Sequence, residues 1–316
     1  MKIAVLMSTY NGEKYLREQM DSILAQKGVD VQIYVRDDGS SDSTPDMLRE
    51  YQAKYPDTIY FINSNKITNC GVKKSFLSLL KYVAEKREDI NYFCFADQDD
   101  FWLEDKLNAA ITLLEAEHDN PKGKLYYSNK TFVDQDLKLI REENITFYDD
   151  FFEALFPRSL CYGCTMVFDR ALALLAQQHY PQSKCIHDSW VYRLARAVGS
   201  SVVFDDKSYI LYRQHGNNEV GMAEAKLHHT SVLYMIRKFL PMLFKKRTHH
   251  MTCVMKDVSL NYDSVLGDEQ SRIIKVFLKY RFSIPAKYKL IFNKDMRKRT
   301  FKTRLVWAYS VIFNRL

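Results

Sequence analysis

The sequence contains little glycine and proline and no long apolar run. Only 10 Gly and 7 Pro occur among the 316 residues, which excludes collagen-like and linker-like chains. No segment reaches the roughly 18 consecutive apolar residues that a membrane-spanning helix requires, and the longest candidate, residues 305–313, is too short. An apolar segment followed by a small-residue cleavage site is missing near the N-terminus, so we expect no secretion signal and a cytoplasmic location.

The cysteines do not form the pattern of a disulfide framework. Six of them are scattered through the chain, which is typical of a protein of a reducing compartment. Cys161 and Cys164 form a C-x-x-C pair, but no second pair accompanies them, and His179 and His187 do not lie at a recognised zinc-ligand spacing. We therefore predict two ordinary buried cysteines there rather than a metal or redox site.

The composition is that of a folded protein whose charge is divided unevenly. Apolar residues make up 47% of the chain and charged residues 27%, which excludes whole-chain disorder, and the length allows about two domains of roughly 150 residues each. Residues 1–222 carry 26 Lys and Arg against 33 Asp and Glu, whereas residues 223–316 carry 20 against 6. The net charges of −7 and +14 predict an acidic domain with its own activity, followed by a basic region that meets an anionic partner.

Short apolar runs alternate with amphipathic segments over the first hundred residues. The apolar spacing predicts strands at residues 2–8, 31–36, 59–62 and 91–96, with helices at 13–27, 44–55 and 74–86. Strands separated by helices of this length imply right-handed parallel crossovers. The pattern therefore predicts an α/β fold with an open sheet that is covered by helices on both faces.

Polar segments follow three of these strands, at residues 8–11, 37–42 and 97–100. Turns and helix caps would explain any one of them, but in such a sheet all three converge at the edge where ligands bind. Asp97 and Asp99 are two residues apart, so in extended geometry they point the same way and repel each other unless a cation lies between them. Because the chain lacks both G-x-G-x-x-G after the first strand and a P-loop motif, we expect a divalent metal, Mg²⁺ or Mn²⁺, to hold a nucleotide's phosphates.

Four motifs resemble glycosyltransferase family 2 with the GT-A fold, over about residues 1–222. They are Ser8-Thr9-Tyr10-Asn11-Gly12, Arg36-Asp37-Asp38-Gly39-Ser40-Ser41-Asp42, Asn69-Cys70-Gly71 and Ala96-Asp97-Gln98-Asp99-Asp100-Phe101-Trp102. Two further motifs resemble the branch that includes bacterial rhamnosyltransferases of cell-wall and capsule polysaccharide synthesis: His187-Asp188-Ser189-Trp190 and Tyr212-Arg213-Gln214-His215-Gly216-Asn217-Asn218.

The resemblance implies a Rossmann-like, mostly parallel sheet with helices on both faces. Its nucleotide-sugar-binding part would span about residues 1–105 and its acceptor and catalytic part about 106–222, before a basic, mainly helical region at 223–316. Ser8, Tyr10 and Asp38 would grip the nucleoside, with Asp38 accepting the imide N–H of uracil or thymine. Asp97 would lie near the ribose, and Lys74 near the diphosphate or the base.

The resemblance also implies the catalytic groups. Asp99 and His215 would hold the metal, and Asp188 would be the base that activates the acceptor. Breaking the anomeric C–O bond of a nucleotide sugar leaves a growing charge on the diphosphate, which the metal neutralises and to which Arg213 could add a cation. Direct displacement assisted by one base inverts the anomeric centre, so a β-L-rhamnosyl nucleotide would give an α-linked product, for which a 1,3 linkage is one option.

Some residues near the predicted base have two interpretations. Asp188 is either the base or a first-turn acid that the helix dipole favours. Trp190 is either a core residue or a stacking platform for a sugar ring. Cys164 and Thr165 precede a predicted buried strand at 166–168 and are candidates for lining the acceptor cleft.

The basic end combines bulky apolar residues with Lys and Arg, at 232–240, 242–247 and 301–315. Such helices suit an anionic bilayer surface, which would place the protein at the cytoplasmic face of the membrane beside a lipid-linked saccharide acceptor. The alternative is a helical appendage that packs on the catalytic domain. Nucleic-acid binding is not expected, because the aromatic residues do not alternate with the cations.

The sequence leaves two other functions open. The same site would serve transfer of another hexose from a UDP-sugar, since uracil and thymine present the same imide edge. A protein of another class, a non-catalytic binder of membrane surfaces or polyanions, would use the α/β domain only as a scaffold. The oligomeric state is not predicted.

Overall fold

Nine strands form one mixed sheet in the part of the chain that the computed structural model describes, residues 1–63, 65–156, 160–215 and 250–316. The strands are Lys2–Thr9 (β1), Asp30–Asp37 (β2), Ile59–Phe61 (β3), Tyr92–Ala96 (β4), Phe101–Trp102 (β5), Lys124–Val133 (β6), Leu139–Glu142 (β7), Val167–Asp169 (β8) and Ser201–Arg213 (β9). The helices are Leu16–Leu24 (α1), Thr44–Lys54 (α2), Val72–Lys86 (α3), Lys106–Ala116 (α4), Arg170–Gln177 (α5), His187–Val198 (α6), His250–Tyr262 (α7), Asp268–Lys279 (α8), Ile284–Ile291 (α9) and Phe301–Ile312 (α10).

The sheet has a parallel half and a mixed half. Its order is β3-β2-β1-β4-β8-β6-β9-β5, with β7 paired to β6. The first four strands are parallel, as the sequence predicts, and each matches its predicted range to within two residues. Beyond them, β8 runs antiparallel to both β4 and β6, while β9 is parallel to β6. β9 therefore returns the chain to the same edge as β1, β2 and β4.

Helices cover both faces of the sheet, as predicted. Side chains of β1 alternate between the two cores: Ile3, Val5 and Met7 pack with α1, α2 and α4, whereas Ala4 and Leu6 pack with α3, α5 and α6. α1 is shorter than the predicted helix at 13–27, because the chain first makes a turn at Gly12, whose carbonyl accepts the backbone N–H groups of Tyr15 and Leu16.

The helices at 250–316 pack on the α/β part of the chain. Their buried residues, such as Val254 and Phe277, belong to the same core cluster as α6. The Trp307 ring contacts Phe152, with ring centroids 5.7 Å apart. The buried Arg299 pairs with Asp150 and Glu153, both at 2.7 Å. This part of the chain therefore packs on the α/β part, while the membrane-surface prediction concerns its exposed side and stays a prediction.

Two of the predicted basic segments, 232–240 and 242–247, and the boundary at 222/223 lie outside the described residues. The third, predicted at 301–315, is the helix α10. No described helix is both long and apolar enough to cross a bilayer.

Candidate active site

Three loops are tied together where β1, β2 and β4 end. The Gln98 side chain accepts the Tyr10 N–H at 2.8 Å and donates to the Tyr10 carbonyl at 2.9 Å. The Asp38 N–H donates to the Thr9 carbonyl at 2.7 Å. A Cβ at Gly12 would lie within 3 Å of the Gln98 amide, which would have to move away from its hydrogen bonds with Tyr10. The predicted convergence of the polar loops at one edge of the sheet is therefore confirmed.

Asp37 organises the second of these loops, a role that sequence analysis did not assign. Its carboxylate is fully buried and accepts hydrogen bonds from the Thr9 hydroxyl, the Gly39 N–H, and both the N–H and the hydroxyl of Ser40. Such fully satisfied buried carboxylates fix a loop in one conformation. The signal in the sequence was an acid immediately before D-G-S, a typical turn-forming pattern.

Asp38 lies in a network that joins β2 to the start of α3. Its carboxylate accepts the Cys70 and Gly71 N–H groups at 2.7 and 2.8 Å and the Arg36 guanidinium at 2.7 Å. Burial raises the pKa of the Asp38 carboxyl, but these hydrogen bonds outweigh burial and hold that pKa below its ordinary value. The Cys70 thiol, a weak donor, is a fourth partner of this carboxylate, so its roughly four acceptor positions are all occupied.

The other residues predicted to bind the nucleoside surround this network. The Ser8 hydroxyl donates to the Ser75 hydroxyl at 2.7 Å, and Arg36 also reaches Ser75, at 3.3 Å. The Tyr10 ring is exposed, and Lys74 is exposed in the first turn of α3. Sequence analysis missed Arg36 and Ser75, because their roles depend on the approach of α3 to β2.

Carboxylates gather at the end of β4. His215 Nε2 lies 2.7 Å from Asp99 Oδ2, so the two predicted metal ligands are in contact. Ligand atoms of Asp97, Asp100 and Cys164 lie within 4.8 Å of one another. Burial, and then the neighbouring Asp99 and Asp97, raise the pKa of Asp100 well above its ordinary value. Asp100 Oδ2 has no hydrogen-bond partner among the described residues. The three acids Asp97, Asp99 and Asp100 are called the acidic cluster below, and carboxylate oxygens of this kind are ligands that a divalent cation takes.

The expectation for Arg213 is wrong. Its guanidinium is buried, with 1% of the side chain exposed, and donates to Glu18 at 2.5 Å, to the Asp99 carbonyl at 3.0 Å and to the Gln135 carbonyl. It also lies over the Tyr15 ring, 4.4 Å from the centroid. Because these groups surround it, Arg213 does not face a diphosphate; it positions the backbone of Asp99.

Asp188 lies in the first turn of α6, and two backbone N–H groups hold its carboxylate. Its Oδ2 accepts the Gly163 N–H at 3.0 Å, and Oδ1 accepts the Ser189 N–H. His187 is buried beside it and stacks on Phe76, with ring centroids 3.9 Å apart. Burial lowers the pKa of His187 to about 4, although Asp188 opposes this effect. His187 is therefore neutral at pH 7 and supplies no positive charge to Asp188.

The three predicted acceptor-side residues are corrected. Trp190 is fully buried between Tyr262 and His179, so neither face is open to a sugar, and the core interpretation is the observed one. Cys164 and Thr165 are also buried and do not line an open cleft. Cys164 Sγ lies close to the carboxylates of Asp97 and Asp100. The short turn 163–165 instead links the acidic cluster to Asp188 through the Gly163 N–H.

Comparisons with known proteins identify the family. The model of the family described as "Glycosyl transferase family 2" matches residues 4–174. A dTDP-rhamnosyl transferase, RfbG, of Shigella flexneri is 37% identical over 227 residues, which cover 68% of this chain and 73% of that protein. An uncharacterized glycosyltransferase of Rickettsia typhi is 28% identical over 239 residues, covering 73% of this chain and 70% of that protein.

Solved structures show the same fold. The structure of S. aureus TarS 1-349 in complex with UDP-GlcNAc matches with a TM-score of 0.53 at 16% identity, covering 97% of this chain and 78% of that chain. Full-length S. aureus TarS matches with a TM-score of 0.54 at 14% identity, covering 99% and 53%. The predicted GT-A fold followed by a helical region is confirmed.

The buried imidazole generates a prediction about acid stability. Because the pKa of His187 falls from 6.5 to about 4 on folding, the unfolded chain takes up a proton below pH 6.5 that the folded protein does not. The contribution of the neutral His187 to the free energy of unfolding is fully present above pH 6.5. It decreases by about 1.4 kcal/mol per pH unit as the pH falls towards 4. Between pH 7 and pH 5 this group should cost about 2 kcal/mol of unfolding free energy, measured by urea denaturation.

The variant His187→Gln should lose correspondingly less unfolding free energy over the same pH range. His118→Gln, at an exposed position, is the control and should behave like the unmodified protein. Equal pH dependence in all three proteins would contradict a buried, neutral His187.

Proposed function

The chain belongs to glycosyl transferase family 2 and is a glycosyltransferase, and we propose that it transfers L-rhamnose from dTDP-β-L-rhamnose to a lipid-linked saccharide. The observation that carries the choice of sugar is the 37% identity to a dTDP-rhamnosyl transferase over 73% of that protein. The acceptor would belong to bacterial cell-wall or capsular polysaccharide synthesis. The non-catalytic alternative is not retained, since the family is one of transferases.

The nucleoside would bind beside Asp38. Its carboxylate is charged at neutral pH, and the imide N–H of thymine would replace the weakest of its donors, the Cys70 thiol. Cytosine lacks that donor and would be rejected. Ser8 and Tyr10 would complete the nucleoside site, with Asp97 near the ribose. Lys74, exposed at the start of α3, would approach the diphosphate.

Asp99 and His215 would hold a divalent metal, Mg²⁺ or Mn²⁺. Carboxylate oxygen and imidazole nitrogen in direct contact form a donor set that fits such an ion. When bound, the metal would supply a Lewis acid that neutralises charge on the departing diphosphate. The Arg213 guanidinium keeps Asp99 in place by donating a hydrogen bond to the backbone carbonyl of Asp99.

Asp188 would accept the proton of the acceptor hydroxyl as that oxygen attacks the anomeric carbon. The Gly163 and Ser189 N–H groups fix the orientation of its carboxylate, and the neutral His187 leaves it without an adjacent cation. One base and direct displacement invert the anomeric centre, so the β-linked donor would give an α-linked product, with 1,3 as one option for the linkage.

Transfer from a UDP-hexose is the second candidate. The observation in its favour is that S. aureus TarS, which shares the fold, was crystallised with UDP and with UDP-GlcNAc. Thymine and uracil present the same imide edge to Asp38, so the base does not distinguish the two donors. The sugar-binding residues decide between them.

A donor panel tests the choice of sugar. With Mg²⁺ or Mn²⁺ and no acceptor, we expect slow hydrolysis to release dTDP from dTDP-β-L-rhamnose at least roughly tenfold faster than UDP from UDP-glucose or UDP-GlcNAc, because the pocket fits one sugar best. Release of the nucleoside diphosphate is measured directly. Faster release of UDP would overturn the rhamnose assignment and leave the enzyme class unchanged.

Replacement of the base tests its role. Asp188→Asn keeps the size of the side chain but cannot accept the proton, so kcat should fall by about 10²- to 10⁴-fold while dTDP affinity stays within about twofold. Asp57→Asn, at an exposed turn before β3, is the matched control and should retain full activity. Normal turnover by Asp188→Asn would remove Asp188 from this role.

Removal of the metal tests its ligands. Chelation should abolish transfer, and added Mn²⁺ or Mg²⁺ should restore it. Asp99→Ala should weaken metal-dependent binding of the donor by on the order of tenfold or more, measured by calorimetry with and without metal, whereas Asp57→Ala should not. Full turnover in chelator would contradict metal dependence.

A further inference from the structure

A basic cavity lies among the C-terminal helices and shares no residue with the candidate active site. Its volume is about 230 Å³, and it opens between α8 and α9. Three lysines line it: Lys275 and Lys279 from α8, and Lys289 from α9. All three are exposed, and the described residues that line the cavity include no carboxylate. The cavity is therefore suited to a group with negative charge.

Large apolar side chains stand on the rim of this cavity. Phe282 and Ile284 flank Ser283, which lines the cavity, and they are 88% and 83% exposed. Tyr288 and Phe292 follow Ile284 at intervals of four residues, so the three side chains form one ridge along α9. A contiguous exposed apolar ridge of this kind marks an interaction surface.

The charge around the ridge is also one-sided. Residues 250–316 carry 14 Lys and Arg against 5 Asp and Glu. Aromatic and aliphatic side chains beside lysines are the combination found on proteins that lie on anionic bilayers, where the apolar groups enter the acyl boundary and the cations meet headgroups.

We propose that this face docks on an anionic phospholipid bilayer, with a headgroup phosphate held by Lys275, Lys279 and Lys289 and with Phe282 and Ile284 inserted beside it. The inference deepens the proposed function, on whose lipid-linked acceptor it rests, by naming the surface that meets the membrane. A second copy of the chain fits the face poorly, because a symmetric contact would bring the same lysines together.

The docking face is connected to the proposed base through packed helices. α8 packs against α6, and α9 packs against α8. α6 carries Asp188 in its first turn. A membrane bound at α9 would thus hold the acceptor side of the site at a fixed orientation to the bilayer.

Point variants test the lysines, since truncation would remove helices that share the core of the catalytic part. The triple variant Lys275→Gln, Lys279→Gln, Lys289→Gln is compared with Lys54→Gln, Lys81→Gln, Lys86→Gln, which removes the same charge from exposed sites on α2 and α3. Partitioning into vesicles of phosphatidylcholine and phosphatidylglycerol is measured by co-sedimentation. We expect a loss on the order of 100-fold for the cavity triple and less than about threefold for the control.

A second pair of variants tests the apolar rim. Phe282→Ser with Ile284→Ser should reduce partitioning on the order of tenfold or more, also at high salt. Leu139→Ser with Ile140→Ser, an exposed apolar pair on β7, should leave it unchanged. Vesicles of phosphatidylcholine alone should bind the unmodified protein weakly.

Four results would overturn the proposal. The first is that the unmodified protein does not bind anionic vesicles, and the second is that the two lysine triples lose equal amounts of binding. The third is that millimolar inorganic phosphate displaces the protein from vesicles while the apolar variants bind normally. The fourth is that the protein dimerises through this face in ultracentrifugation without lipid. Donor hydrolysis by every variant should match the unmodified protein. Vesicle binding without dTDP-rhamnose turnover would refute the choice of donor and leave the docking face intact.

Discussion

Mutual repulsion among the carboxylates at the end of β4 is the constraint on which the rest of the site depends. Asp97, Asp99 and Asp100 lie within four residues, and Asp100 is fully buried. Burying such groups is costly unless opposite charge or hydrogen bonds compensate them. The compensation comes from the end of β9: His215 contacts the Asp99 carboxylate, and Arg213 holds the Asp99 backbone. A bound cation would complete this compensation.

The mixed half of the sheet brings these compensating groups to the end of β4. β9 runs parallel to β6 for most of its length and pairs with β5, the short strand that follows the acidic cluster. This pairing carries residues more than a hundred positions away back to the end of β4. The same arrangement explains why Arg213 is enclosed, since Glu18 of α1 and the carbonyl of Gln135 meet it from two other elements.

Local patterns in the sequence predicted the features of the fold that depend on residues close together along the chain. The parallel strands, the helices between them and the convergence of Asp38 and Asp99 at one edge followed from periodicity and from the rule for strand ends. The family resemblance added His215. Prediction failed where burial is set by distant segments. Trp190 is covered by Tyr262 of α7, and Arg213 by α1, and no local pattern contains either partner.

Two separate parts of the chain, the sheet and the C-terminal helices, together bury α6. All twelve of its residues are buried, because the sheet covers one side and the helices at 250–316 cover another. An amphipathic surface helix would leave a polar face to water; this one depends on the C-terminal helices for its environment. The orientation of Asp188 in the first turn of α6 therefore depends on a region that contributes no group to the proposed chemistry. Loss of that region would expose apolar residues such as Trp190, so the role proposed for Asp188 and the packing of the C-terminal helices are not separable.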